Sequence, residues 1–177
     1  MAADSPTVSL RVGGLADIPA IVAVQARSWQ ASYRGLVDEA YLDALPLQDW
    51  ISSWRAHFFA GPDHNACVLA EAEGRVVGFA SCGAATGATD LPPGVGELHT
   101  IYMDPAHVGT GLGRRLMDWA LDHLRASGYT DAVLWVLDGN TRAIRFYEAG
   151  GWAADGAEAT DCWGATNLRR TRYRRRL

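Results

Sequence analysis

Polar and apolar residues alternate over residues 7–12, the period of a strand with one buried face. Gly13-Gly14 breaks the pattern. Asp17 with Pro19 then marks a helix start, and Gly35 follows its end, so a helix is expected over 17–33. Two further helical stretches, 38–45 and 47–60, are bounded by Pro46 and by Gly61-Pro62. The pattern then turns to strands. Residues 67–71 and 75–82 flank Ala72-Glu73-Gly74, a hairpin signal. Residues 83–94 are rich in Ala, Thr, Gly and Pro and read as a loop. Residues 96–103 read as a strand closed by Asp104-Pro105.

Further along, Leu112, Leu116, Trp119, Ala120 and Leu124 recur at helical spacing within 111–127, and Gly128 ends that helix. Residues 131–137 are apolar on both faces, as a central strand is. A helix over 140–149 stops at Gly150-Gly151, Trp152 opens another strand, and 170–177 is the last. About seven strands and about four helices, with helices on both sides of a mixed sheet, predict an α/β (α+β) class. With no repeat and no low-complexity linker, residues 1–177 read as a single domain.

Composition narrows the classes. No apolar run reaches the ~18 residues of a membrane span. The opening Met1-Ala2-Ala3-Asp4-Ser5 has no basic or apolar leader pattern. Cys67, Cys82 and Cys162 are odd in number and widely spaced, so they suit reduced thiols in a cytoplasmic protein and form neither a disulfide framework nor a metal cluster. No metal is expected. There is no lysine, as in a bacterial chain coded at high GC. The net charge of −4 is uneven: up to Leu168, 10 arginines face 20 carboxylates, a difference of −10, and six more arginines crowd Arg169 to Arg176. The acidic body argues against general nucleic-acid binding and suits a cationic or amine substrate.

The segment from His107 to Leu116, His-Val-Gly-Thr-Gly-Leu-Gly-Arg-Arg-Leu, joins a strand to a helix. Its glycines permit unusual backbone angles and close approach of a ligand. The first N–H groups of a helix lack internal partners and carry partial positive charge, so a diphosphate fits there. Arg114 and Arg115 can add charge-assisted contacts. Gly-x-Gly-x-Gly placed late in the chain is not the dinucleotide fingerprint, and without lysine no Walker loop is possible.

Val108-Gly109-Thr110-Gly111-Leu112-Gly113 is similar to the acetyl-CoA loop of GNAT acetyltransferases, Q/R-x-x-G-x-G/A, with Val108 standing where Gln or Arg is usual. The stretch Leu134 to Trp152, with Asn140-Thr141-Arg142-Ala143, then Phe146-Tyr147, then Gly151-Trp152, resembles the second half of the same site. The resemblance implies the GNAT fold, a mixed and mostly antiparallel sheet, and an N-acetyltransferase that uses acetyl-CoA as co-substrate. The amine acceptor attacks directly within a ternary complex. It implies that Ile101, Tyr102 and Met103 hold the pantetheine arm through the main chain, that Val108, Gly109, Thr110, Gly111, Leu112, Gly113 and Arg114 hold the diphosphate, and that Asn140 contacts pantetheine. Asn140 is equally a helix N-cap. Tyr147 becomes the acid that protonates the leaving thiolate, and it also contacts the cofactor.

Glu97, on a strand facing an apolar cleft, is the candidate base, directly or through water. Burial would raise its pKa toward that role. His99, two residues on, shares its face and is the second candidate. The family builds its acceptor site from the first helices, which makes Trp29 and Tyr33 acceptor-lining candidates; core packing is the alternative for both. Trp50 and Trp54 also share a helix face. The expected partners are acetyl-CoA and an amine, with neither nucleic acid nor membrane, and a homodimer is left open. Two rival readings stay open: a non-catalytic acyl-CoA sensor of the same fold, and a nucleic-acid module using the terminal arginines. Against the second stands an amphipathic last strand with solvated arginines, anchored by Tyr173 and Leu177.

Overall fold

The computed structural model describes residues 8–59, 65–86 and 90–177. The strands are β1 (Ser9–Val12), β2 (Ala66–Ala72), β3 (Arg75–Ala84), β4 (Val95–Met103), β5 (Asp131–Leu137), β6 (Ala153–Trp163) and β7 (Thr166–Arg176). They form one sheet in the order β1-β2-β3-β4-β5-β7-β6. Every neighbouring pair is antiparallel except β4 and β5, which run parallel. This is the mixed, mostly antiparallel α+β architecture expected. Thr7 and Ala60, at the outer ends of two expected elements, lie outside the described residues.

Five helices flank the sheet among the described residues: α1 (Ile18–Ser32), α2 (Glu39–Asp43), α3 (Leu47–Ser53), α4 (Leu112–Ala126) and α5 (Thr141–Ala149). α4 buries Leu112, Leu116, Met117, Ala120, Leu121 and Leu124, the stripe that its apolar spacing prescribes, on one face of β2, β3 and β4. Ala143, Ile144, Phe146 and Tyr147 of α5 pack into the same cluster, with Trp152 and Tyr173. α1 covers the opposite face of β3 and β4 and carries α3 against it. None of these helices is long and apolar enough to cross a membrane.

Two departures from the sequence pattern matter. α3 passes into a π-helical turn, Trp54–Phe58, which rotates Trp54 away from Trp50. Trp50 packs on Trp29, whereas Trp54 packs on Phe79 and Phe58, so the pair does not share one surface. At the C-terminus, β6 and β7 form a long hairpin that starts at Ala153 and resumes at Thr166, earlier than the expected start at 170. β6 lies on the sheet edge; its first four residues are all exposed, and partial burial alternates only from Ala157 to Trp163.

Arg169 and Arg176 are exposed, as solvated arginines of a last strand are expected to be, but Arg172 is buried and several of the run are paired with carboxylates. Arg169 pairs with Asp138, Arg170 with Asp161, Arg172 with Asp90 and Asp155, and Arg174 with Asp131. β7 thus returns positive charge to the acidic body. Tyr173 and Leu177 pack into the core as anchors.

These pairs, with that of Arg11 and Asp17, contribute to the acid stability. Hydrogen bonds from arginines hold the carboxyls of Asp17, Asp90 and Asp131 below the ordinary 3.8. A carboxyl whose folded pKa is depressed stabilises the fold above its unfolded value, and that stability is lost as pH falls through the folded value. Melting temperature should therefore hold level from neutrality to about pH 5 and drop below about pH 4. A Tm that is unchanged down to about pH 3 would contradict these pairings.

Candidate active site

The site begins where β4 and β5 separate. They pair only at Val95–Asp131, Gly96–Ala132 and Glu97–Val133. Immediately beyond, Ser81 of β3 faces Thr100 while Cys82 faces Leu98, so His99 is an extra residue in β4. Such a bulge bends a strand and increases its twist. It also resets the alternation: Leu98, Ile101 and Met103 all reach the α4–α5 cluster, while Tyr102 turns to the α1 side. Past Glu97, the edge of β4 that faced β5 has no strand partner, and its main-chain groups are open to a ligand.

A cavity of about 480 Å³ fills the gap, lined by residues 98–103 of β4 and 134–137 of β5. Its wall continues through Val108, Gly109, Gly111, Gly113 and Arg114, and through Asn140, Arg142, Ala143, Phe146 and Tyr147 of the α5 region. Ser28, Ser32 and Tyr33 of α1 close the other side.

The glycine loop enters α4 through left-handed backbone. Gly109 and Gly111 have φ of 83° and 84°, the left-handed region, and a Cβ at either would meet nothing within 4 Å. Backbone shape, not crowding, therefore demands glycine there. Gly111 caps α4 without a side-chain hydrogen bond, and the first backbone bond of the helix runs from the Arg115 N–H to the Gly111 carbonyl at 3.3 Å. The amides of Leu112, Gly113 and Arg114 precede it and have no acceptor within the helix.

The model of the acetyltransferase (GNAT) family matches residues 24–152, almost three quarters of the chain and all of the cavity-forming segments. The chain belongs to the GNAT acetyltransferase family. An uncharacterized N-acetyltransferase of Archaeoglobus fulgidus is 32% identical over 121 residues, which cover 68% of this chain and 79% of that relative. A mycothiol acetyltransferase of Thermobispora bispora is 39% identical over 90 residues, which cover 49% of this chain and 30% of the relative. In fold, the chain is similar to a PaiA N-acetyltransferase from Thermoplasma acidophilum solved in complex with coenzyme A, with a TM-score of 0.74 at 17% identity over 97% of this chain and 99% of that one.

Within this acetyltransferase, the cavity gathers Ile101, Tyr102, Met103, Val108, Gly109, Gly111, Gly113, Arg114, Asn140, Tyr147, His99 and Tyr33 in its wall. Thr110 and Leu112 are absent from it. The Thr110 hydroxyl donates to the His107 carbonyl at 2.8 Å, and the Leu112 side chain is core. Only their main chains can serve the site. Arg115 is also turned away and donates to the Val8 carbonyl at 3.0 Å. Trp29 does not line the cavity. It stacks on Trp163 at 4.2 Å and packs edge-on against Tyr33 and Trp50, supporting Tyr33 from behind.

Glu97 and His99 meet, as their spacing predicts, but only His99 lines the cavity. Glu97 lies behind it, its Oε1 at 3.6 Å from His99 Nδ1, while the Thr86 N–H donates to Glu97 Oε2 at 2.9 Å. Asn140 caps α5 by accepting from the Ala143 N–H at 3.3 Å, and it also lines the cavity. Burial pushes the Tyr147 phenol well above its ordinary pKa, with Tyr102 adding to the effect, so it stays protonated. Burial raises Tyr33 and Tyr102 in the same direction. Ser28, Thr100 and Trp135 also line the cavity, although the sequence pattern marks them as ordinary helix and strand positions.

Proposed function

We propose that this acetyltransferase moves the acetyl group of acetyl-CoA to a primary amine, on a small molecule or a peptide, by direct attack in a ternary complex. The observation that carries this reading is the cavity between parted parallel strands, which ends at an uncapped helix N-terminus entered through two left-handed glycines. A diphosphate is held there by the amides leading into α4, with Arg114 beside them. The pantetheine amides hydrogen-bond along the unpaired edge of β4 as a missing strand would. The thioester then lies near Tyr147.

The hydroxyls of Ser28, Tyr33 and Thr100, the His99 imidazole and the Trp135 indole surround the remaining space, a setting suited to an amine. His99 takes a proton from the ammonium, directly or through water, with the Glu97 carboxylate 3.6 Å behind it. The freed lone pair attacks the carbonyl carbon, the C–S bond breaks, and Tyr147 protonates the departing sulfur; the nitrogen's second proton, lost as the amide forms, returns the Tyr147 phenolate to the phenol through water. A main-chain N–H of the open β4 edge serves the developing oxyanion.

The test is thiol release from acetyl-CoA in the presence of tyramine, spermidine or an alanine-initiated tripeptide, alongside calorimetry with coenzyme A. Acceptor-dependent release supports the proposal. Coenzyme A bound with no acceptor acetylated sinks the transfer step, and no binding at all sinks the placement of the cofactor.

A further inference from the structure

The acidity of this chain does not face its cavity. The sequence holds 20 aspartates and glutamates, yet no described Asp or Glu lines the space between β4 and β5. Glu97 stands behind His99 and accepts from the Thr86 N–H at 2.9 Å. Apart from His99, the charged residues of the wall are two arginines, Arg114 and Arg142. Arg114 is in the first turn of α4, beside the amides proposed for the diphosphate. Arg142 is in the first turn of α5, and its Nη2 donates to the Ser32 hydroxyl of α1 at 2.9 Å.

A hydroxyl is a neutral partner, so it leaves the guanidinium charge uncompensated. Among the described residues no carboxylate pairs with Arg142. Arg34 makes the contrast. With Ser32 and Arg142 it lines a second, more open hollow outside the first, but it is paired with Glu39 and Asp43. Ser28 lies one turn before Ser32 on α1, is buried, and also lines the cavity. The hydroxyls of Ser28 and Ser32 and the fork of Arg142 thus give the α1 side of the cavity a row of hydrogen-bond donors under a positive charge. A planar anion gains charge-assisted bonds there, whereas a second ammonium on the acceptor meets a like charge.

We infer that the acceptor is an amine that carries a carboxylate, and that Arg142, steadied by Ser32, binds that carboxylate. This rests on the acetyl-transfer reading and narrows its substrate class. It also reverses the cationic acceptor that the net charge suggests. Charge summed over the chain describes the outer surface, but an acceptor meets the side chains of the wall.

Two matched pairs of acceptors isolate the carboxylate: tyrosine against tyramine, and an alanine-initiated tripeptide against its C-terminal amide. In at least one pair, kcat/KM should be about tenfold or more higher for the carboxylate member, and spermidine should be the poorest acceptor of all. In Arg142→Ala that ratio should fall about tenfold. Arg142→Lys, which keeps the charge without the fork, should retain part of it. A second readout needs no turnover. With coenzyme A bound, the NMR signal of the Arg142 Nε–H, assigned by its loss in Arg142→Lys, should shift on adding tyrosine or the tripeptide and not on adding tyramine or the amide.

Ratios near one in both wild-type pairs overturn the inference, as does a ratio that survives Arg142→Ala. A coenzyme A Kd that weakens about tenfold in Arg142→Ala gives the guanidinium to the cofactor and overturns it too. If no amine is acetylated, the transfer reading fails. The Arg142 signal then decides carboxylate binding alone, and a signal that moves with neither carboxylate refutes it.

Discussion

Tyr147→Phe should lower kcat for acetyl transfer about a hundredfold while coenzyme A affinity changes less than about twofold. The variant keeps the ring that packs against Phe146 and Trp152 and removes only the hydroxyl. Its Tm should therefore stay close to the wild type. The expected size follows from the role, since a positioned general acid contributes about two to four orders of magnitude. The direction of the Tyr147 shift adds a second readout. Burial places its ionisation well above the ordinary phenol range, so the proton it donates is present throughout neutral and mildly alkaline solution. The wild-type kcat should accordingly show no alkaline decline attributable to Tyr147 up to about pH 10. An unchanged kcat in Tyr147→Phe removes the residue from the proton path, and the departing thiolate then leaves without a protein acid.

The parts of the molecule legible in the sequence are those where one period governs a whole element. α4 buries the stripe that its spacing dictates, and β5, between β4 and β7, is largely buried on both faces as its continuous apolar run predicts. The glycine loop is legible because its glycines stand at alternate positions between a strand and a helix, and two of them, Gly109 and Gly111, take left-handed φ. What escapes is geometry that depends on single residues or on remote partners. The bulge at His99 costs one position of register, which alternation cannot reveal, yet it is where β4 turns away from β5.

Trp29 and Tyr33 share a helix face by spacing, but only one reaches the cavity, because Trp163 from a hairpin more than a hundred residues away covers the other. Arg172 sits in a run of arginines that reads as solvated. Its burial depends on Asp90, 82 residues distant, and on Asp155, each unremarkable in its own segment. The half of the cavity proposed for the acceptor is made largely of such long-range meetings. The half proposed for the cofactor is made of one contiguous loop and one strand edge, and so it is the half that the sequence announces.

That contrast makes Gly111 the sharpest test of the cofactor half. Gly111→Val should weaken coenzyme A binding by about ten- to a hundredfold. A Cβ at this position meets no atom within 4 Å, so the substitution does not collide with the protein. The expected effect comes from φ of 84°, which a β-branched residue resists by roughly 1–2 kcal/mol or more. The loop relieves that strain by rotating, and rotation turns the amides of Leu112, Gly113 and Arg114 away from the diphosphate. Strain can be separated from bulk by Gly111→Asn, which adds a larger side chain than alanine yet tolerates the left-handed region. Asn should therefore bind coenzyme A within about threefold of the wild type, and Ala should fall between Asn and Val. If Asn and Val weaken binding equally, bulk at the mouth is responsible and the backbone argument fails. If Val binds as tightly as glycine, the diphosphate does not rest on these amides.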